Sequence, residues 1–247
     1  MAKERTKTIA ELVKGSQRGT VIIYGGVTNE NRTRSTAEVY TQELKNILFK
    51  DKEDMHFIGK RDILNRVRRL GHLKAAKNIA SEINGCTLDQ RVLIDLPLSI
   101  KEFFMSRYLY ERDGKTERLE WKKLIDKHKP NYTEAIKEWF GNPELIKLVD
   151  PETIAKDYIY GMQRFANFSR RFIPNRPLKI GLVGHSFLID ALLTYVANKE
   201  KISPQGFEKI GGHVVRETEL SILEFDQRDN LRLRYRGKNF ILPVAYS

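Results

Sequence analysis

The chain has 247 residues, 40% hydrophobic and 10% aromatic, enough apolar material to bury a full core in one large domain or two small ones. Lys and Arg number 44 against 32 Asp and Glu, and the net charge of +12 favours an anionic partner: nucleic acid, a phosphorylated molecule or an acidic surface. The single cysteine, Cys86, excludes an internal disulfide, the charged start MAKERTKTIAELVKGSQ does not read as a secretory signal, and no apolar run reaches the roughly 18 residues of a bilayer span. A cytoplasmic protein with no membrane partner is expected.

Residues 4–14 read as a short helix with Ile9, Leu12 and Val13 on one face. TVIIY (20–24) is a continuous β-branched run of the kind buried on both faces of a parallel sheet. From Arg32 to Phe49, Val39, Leu44, Ile47 and Leu48 recur at helical spacing. A strand at MHFIG (55–59) and helices near 61–69 and 73–83 come next. The middle, about 98–172, is almost wholly helical in pattern, punctuated by RDGK, HKPN and GNPE. Asp150 before Pro151, with Glu152 behind, combines a side-chain acceptor, a first-turn Pro and an acid, all suited to the start of a helix that runs to about 172. LKIGLVG (178–184) reads as a second buried strand and 186–199 as its helix. In the tail, TELSILEF and LRLRYRG form two strands joined by DQRDN, with FILPV a candidate for another. No internal repeat or low-complexity tract interrupts this order.

Strand, helix and strand at both ends of a helical middle predict an α/β fold. The expected architecture is a three-layer sandwich with a mostly parallel central sheet, helices on both faces and a helical insertion. It is read as a single domain over 1–247, with 98–149 as the insertion or lid. Phe103, Phe104, Tyr108, Trp121, Trp139 and Phe140 give that middle its aromatic surface, which would either cover a cleft or form a subsidiary core.

Open α/β sheets bind ligands outside the carboxyl ends of their strands, where loops and helix N-termini converge. Residues 25–34 and 184–187 both occupy such a position. A helix N-terminus offers unpaired N–H groups and a positive dipole end, Arg32 adds a planar fork matching phosphate oxygens, and His185 can donate to the same anion or act as an acid or base. Thr28, Arg34 and Ser186 lie on the same turns and are the further candidates for phosphate contact. No metal site and no cofactor are expected.

RTRSTAEVY, with Arg32, Thr33, Arg34, Ser35, Thr36, Ala37 and Glu38, resembles the arginine motif of the histidine phosphatase superfamily, the phosphoglycerate-mutase-like proteins. IGLVGHSFLIDALLTYV is similar to that family's second histidine motif, and GGHVVRETELSILEFDQRDNLRLRYRG to its closing segment. The resemblance covers about 20–49 and 150–240 and implies a domain that binds a phosphorylated small molecule or a phosphoprotein. It implies catalytic roles for Arg32 and His185. The family's proton donor is a carboxylate between the motifs, which implies Asp95 in LIDLP, at an expected strand end.

The family-defining Arg-His-Gly run is absent, since none of His56, His72, His128, His185 or His213 follows Arg and precedes Gly. Laid on YGGVTNEN, the first motif keeps Thr28 and Asn31 but puts Tyr24 in place of the Arg and Gly25 in place of the nucleophile. Either way the 247 residues lack the phosphohistidine nucleophile, and transfer through a covalent intermediate needs one. The expectation is phosphate-ester recognition by a catalytically degenerate relative, or by a chain begun downstream of the first motif. Two alternatives come from other classes. The charge and the clusters KRDILNRVRR and SRRF suggest a basic nucleic-acid-binding protein without catalytic activity. GHSFL partly matches the α/β-hydrolase elbow with Ser186 as nucleophile, but Leu188 stands where the turn wants Gly.

Overall fold

The structure, a computed structural model, describes residues 2–26, 31–50, 54–95, 106–111, 113, 116–174, 176–216, 219–225 and 230–243. It is α/β and divides into two compact units, one of residues 1–100 with 162–184, the other of 101–161 with 185–247. Among the described residues no helix is long and apolar enough to cross a membrane.

The first unit contains α1 (Ala2–Lys14), β1 (Val21–Gly26), α2 (Asn31–Lys50), β2 (Met55–Ile58), α3 (Lys60–Leu70), α4 (His72–Gly85), β3 (Arg91–Asp95) and β4 (Leu178–Val183). Its four strands form an all-parallel sheet in the order β2-β3-β1-β4. The apolar run of β1 is central, so Val21, Ile22, Ile23 and Tyr24 are all buried, as expected of a strand covered on both faces. On one face Ile22, Leu93 and Met55 pack with Ala10 and Val13 of α1 and with Leu44 and Leu48 of α2. Leu44 and Leu48 expose 0% of their surface, and each such side chain contributes about 1.5–3 kcal/mol relative to an exposed one.

Two local devices shape this sheet. The Tyr24 ring lies across β4 at Gly181, where an added Cβ would come within 2.0 Å of the ring, and meets Tyr40 of α2 edge-on at 6.0 Å. At the opposite, amino-terminal end of the strands, the buried Arg176 guanidinium donates to four carbonyls: Nη1 to Gln90 (2.8 Å) and Gly19 (3.3 Å), Nη2 to Cys86 (2.6 Å) and Thr87 (2.8 Å). It thereby ties the entries to β1, β3 and β4 to the C-terminal end of α4, where carbonyls lack helical partners and carry the negative dipole end. The single-residue break between α3 and α4 falls on Gly71, whose φ of 74° suits glycine and few other residues.

The second unit contains α5 (Ser106–Leu109), α6 (Leu119–His128), α7 (Tyr132–Gly141), α8 (Pro143–Leu148), the start of α9 (Pro151–Phe172), α10 (Ser186–Ala197), α11 (Pro204–Lys209) and the strands β5 (Ile222–Phe225), β6 (Leu231–Tyr235) and β7 (Lys238–Leu242). The division between units falls inside α9, after Gly161. The helical middle is broken at RDGK by a bridge between Tyr110 and Glu117. Asp150 caps α9 as expected, accepting from the N–H groups of Glu152 (3.0 Å) and Thr153 (3.2 Å). The expected end of α10 at 199 is corrected to Ala197, because Lys199 and Glu200 turn to φ of 52° and 68°.

The C-terminal strands form their own antiparallel sheet, β5-β6-β7. Arg236 (φ 47°) and Gly237 (φ 73°) make the two-residue turn from β6 to β7, a positive-φ hairpin of the kind that follows strand twist. α10 is buried along most of its length, with Leu188, Ala191, Leu192 and Leu193 and the polar Asp190 and Thr194 all buried, as befits the central helix of this unit. Trp121 meets its Phe187 edge to face at 5.2 Å, Trp121 with Trp139 and Phe140 with Phe207 pair in the same way, and Trp139 lies tilted at 43° to Phe140. Of the aromatics that were candidates to cover a cleft, Tyr108, Trp121, Trp139 and Phe140 are buried. Phe103 and Phe104 lie outside the described residues.

Candidate functional site

β1 and β4 are hydrogen-bonded parallel neighbours that end in register, Gly25 opposite Leu182 and Gly26 opposite Val183. On the other side of β1, Tyr24 stands opposite Asp95, the last residue of β3. The carboxyl ends of β3, β1 and β4 thus lie side by side at one edge of the first unit, and each leads to a segment singled out in the sequence.

Arg32 is the second residue of α2, and Arg34 follows on the same first turns. Their side chains, and Thr28, lie outside the described residues. His185 comes two residues after β4 and is the N-cap of α10, with φ −97° and ψ 138°. Its carbonyl accepts from the Ile189 N–H (3.1 Å), its side chain does not cap the helix, and its Nε2 is buried. Ser186 is the first helical residue and does not have the positive φ of a strained nucleophile turn.

Asp95 is half-buried, and burial holds its carboxyl above the usual carboxylate range. The Lys60 ammonium and a hydrogen bond from the Lys60 backbone N–H oppose that rise, while Glu38 reinforces it. Lys60, the first residue of α3, follows β2 and pairs its ammonium with the Glu38 carboxylate on α2. The strand ends of the first unit therefore gather Glu38, Lys60 and Asp95: a carboxyl inclined to keep its proton beside a neutralised ion pair. Such a group can donate a proton to a leaving oxygen or a hydrogen bond to an anion. Lys60 escaped the sequence reading, because a lysine opening a basic helix has no signature until β2 is known to end beside β3.

α10 carries a further titratable group, Asp190, which is fully buried and held well above the usual carboxylate range by burial, even with Arg236 nearby. Its Oδ1 accepts from the Val215 N–H at 2.9 Å, so its role is to hold the loop that follows α11. Arg236 clamps the same loop through Glu219 (2.6 and 2.8 Å) and the carbonyls of Ile210, His213 and Val214. His213 thus belongs to this clamp by its backbone. No group of three or more metal-ligating side chains occurs among the described residues.

Compared with family models, curated proteins and solved structures, the chain matches none.

Proposed function

We propose that this chain is a histidine-phosphatase-like α/β protein that binds a phosphate ester at the strand ends of its first unit, with Arg32 supplying the anion contact and Asp95 the proton donor. The observation that carries the reading is the strand order: β3 and β1 are parallel neighbours, Tyr24 of β1 stands opposite Asp95, and the two candidate residues sit at the end of β3 and beyond the end of β1. A parallel sheet edge of this kind is where helix N-termini and loops meet a ligand. The raised Asp95 carboxyl adds a group suited to donate a proton.

The finer architecture follows from the same order. The connection from β1 to β2 and that from β2 to β3 run in opposite directions across the sheet, and right-handed crossovers then put α2 and the α3–α4 pair on opposite faces. Burial of Val21, Ile23, Val92 and Ile94 besides the α2-facing residues supports a three-layer sandwich. Residues 98–149 are then a helical insertion between β3 and β4.

With no Arg-His-Gly histidine in the 247 residues, the reading is recognition without a phosphohistidine. The test is titration of the protein with phenyl phosphate by calorimetry. Arg32→Ala weakens binding by about 1.5–3 kcal/mol and Arg32→Lys restores part, because a point charge does not reproduce the fork. No acid-labile phosphoprotein forms. Unchanged affinity in Arg32→Ala overturns the site. Turnover of p-nitrophenyl phosphate at about 1 per second or more, lost in His185→Ala, overturns the claim that no nucleophile is present.

A further inference from the structure

The α3–α4 hairpin, residues 60–85, carries seven Lys and Arg against two Asp and Glu. Both acids are already matched: Arg66 pairs with Asp62 at 2.6 Å and with Glu82, which also meets His56 at 2.6 Å. Arg61, Arg68, Arg69, Lys74 and Lys77 are exposed and form no ion pair with the described residues. Five such cations therefore stand on one helical hairpin whose inner face is anchored by Ile63, Ala75, Ala80 and Ile83.

Between the two helices runs an open groove of about 550 Å³, lined by Asp62, Asn65, Arg66, Arg69, Asn78 and Glu82. Arg66 pairs with both carboxylates but its single charge offsets only one of them, so with Arg69 the groove is neutral overall, and the hairpin's excess positive charge stands on the exposed Arg61, Arg68, Lys74 and Lys77. Asn78 turns its Oδ1 to the Arg66 guanidinium at 3.0 Å, which leaves its NH₂ as a donor for something else. An acceptor-rich, extended anion fits these exposed cations. The 11 residues of α3 span about 16 Å, the axial length of roughly five base pairs. The hairpin contains no Phe, Tyr or Trp, so it has nothing on which an unpaired base would stack. Leu64 and Leu73 are exposed but sit singly on different helices, which is ordinary for a protein surface and supplies no inserting edge for a membrane.

We propose that the α3–α4 hairpin binds the phosphate backbone of double-stranded nucleic acid, without base readout, at a site independent of the phosphate-ester site proposed above. Cations of this kind act by releasing counterions from the duplex, so affinity falls steeply with salt and each lost contact flattens that dependence by about one unit of log–log slope.

The test is fluorescence anisotropy of the full chain with a labelled 20-base-pair duplex of random sequence, titrated at a series of salt concentrations. The expected wild-type slope is about −3 to −4.5. R68Q/R69Q/K77Q weakens binding at least about tenfold at low salt and flattens the slope by about two to three units. R61Q/K74Q moves both quantities in the same direction and stands in if the triple variant loses its circular dichroism spectrum. K122Q/K123Q/K201Q, which removes three exposed lysines of the second unit, leaves both unchanged. The proposal is overturned by absence of duplex binding, by equal losses in the second-unit variant, or by binding confined to phosphatidylserine vesicles. Phenyl phosphate does not displace the duplex; displacement would place both ligands on one site and overturn the independence.

Discussion

Arg176 holds four backbone carbonyls with two nitrogens, at 2.6–3.3 Å, from a side chain that is 8% exposed. Hydrogen bonds from a charged donor contribute about 1.5–3 kcal/mol each, but four such values do not add. The guanidinium is desolvated in the folded state, and truncation lets water reach some of the carbonyls near the surface. The two contacts under 2.8 Å or at it on the α4 side, to Cys86 and Thr87, also benefit from the helix C-terminus. A loss of about 3 kcal/mol is therefore expected for Arg176→Ala. Arg176→Lys keeps the charge at the end of α4 but reaches fewer carbonyls, and should recover about 1 kcal/mol. Trp121 and Trp139, the two tryptophans, both belong to the second unit, so their fluorescence reports the wrong part of the chain. The assay is hydrogen exchange by mass spectrometry at graded urea, comparing peptides that cover β1 and β3 with one that covers α10. A loss below about 1 kcal/mol in the β1 and β3 peptides, or Arg176→Lys matching wild type, would refute this role for Arg176.

Gly181→Ala places a Cβ against the buried Tyr24 ring and should cost about 1–3 kcal/mol; Tyr24→Leu should rescue part of it in a double-mutant cycle, and additive effects would show that the ring is not the obstacle. Asp190 has a folded-state pKa raised by burial, so the native state keeps a proton that the unfolded chain releases near its ordinary value of about 4. Native stability therefore falls as pH rises from about 4 through the folded pKa. Asp190→Asn keeps the acceptor for the Val215 N–H but removes that fall, so its stability relative to wild type should improve with pH by up to about 1.4 kcal/mol per unit. Parallel urea-denaturation curves for the two proteins from pH 4 to 8 would contradict this.

The strand most legible in the sequence is β1, since VIIY is apolar without alternation and is buried throughout; LKIGLV, expected as a second buried strand, is instead the edge strand β4, with Lys179 exposed and its other residues only partly buried. The parallel pairing of β1 and β4 follows from the sequence only if both end in ligand turns. The strand order was not legible: β3 inserts between β2 and β1, and nothing local to RVLID distinguishes a central position from an edge. The Asp150 cap and the Gly71 break were readable because they are local chemistry. Arg176 was not, because its partners Gly19, Cys86, Thr87 and Gln90 are backbone atoms that carry no side-chain signal. At the candidate site, Asp95 is singled out through the family resemblance and an expected strand end, and β3 does end there; Lys60 is not, because its relation to Asp95 exists only after β2 and β3 pair.

The place of β4 next to β1 bears on how the protein is made. Residues 27 to 177 must all be synthesised between the end of β1 and the start of β4, although β2 and β3 arrive early. At about 5–20 residues per second, β1 waits roughly 8–30 s on the ribosome with one side of its backbone unpaired. A β-branched strand edge left open for that long is a template for pairing with another nascent chain. The buried Tyr24 ring shares the delay, since the glycine it lies across is made only at position 181. Slowing translation between β3 and β4 should therefore lower the yield of folded protein more than slowing it after β4.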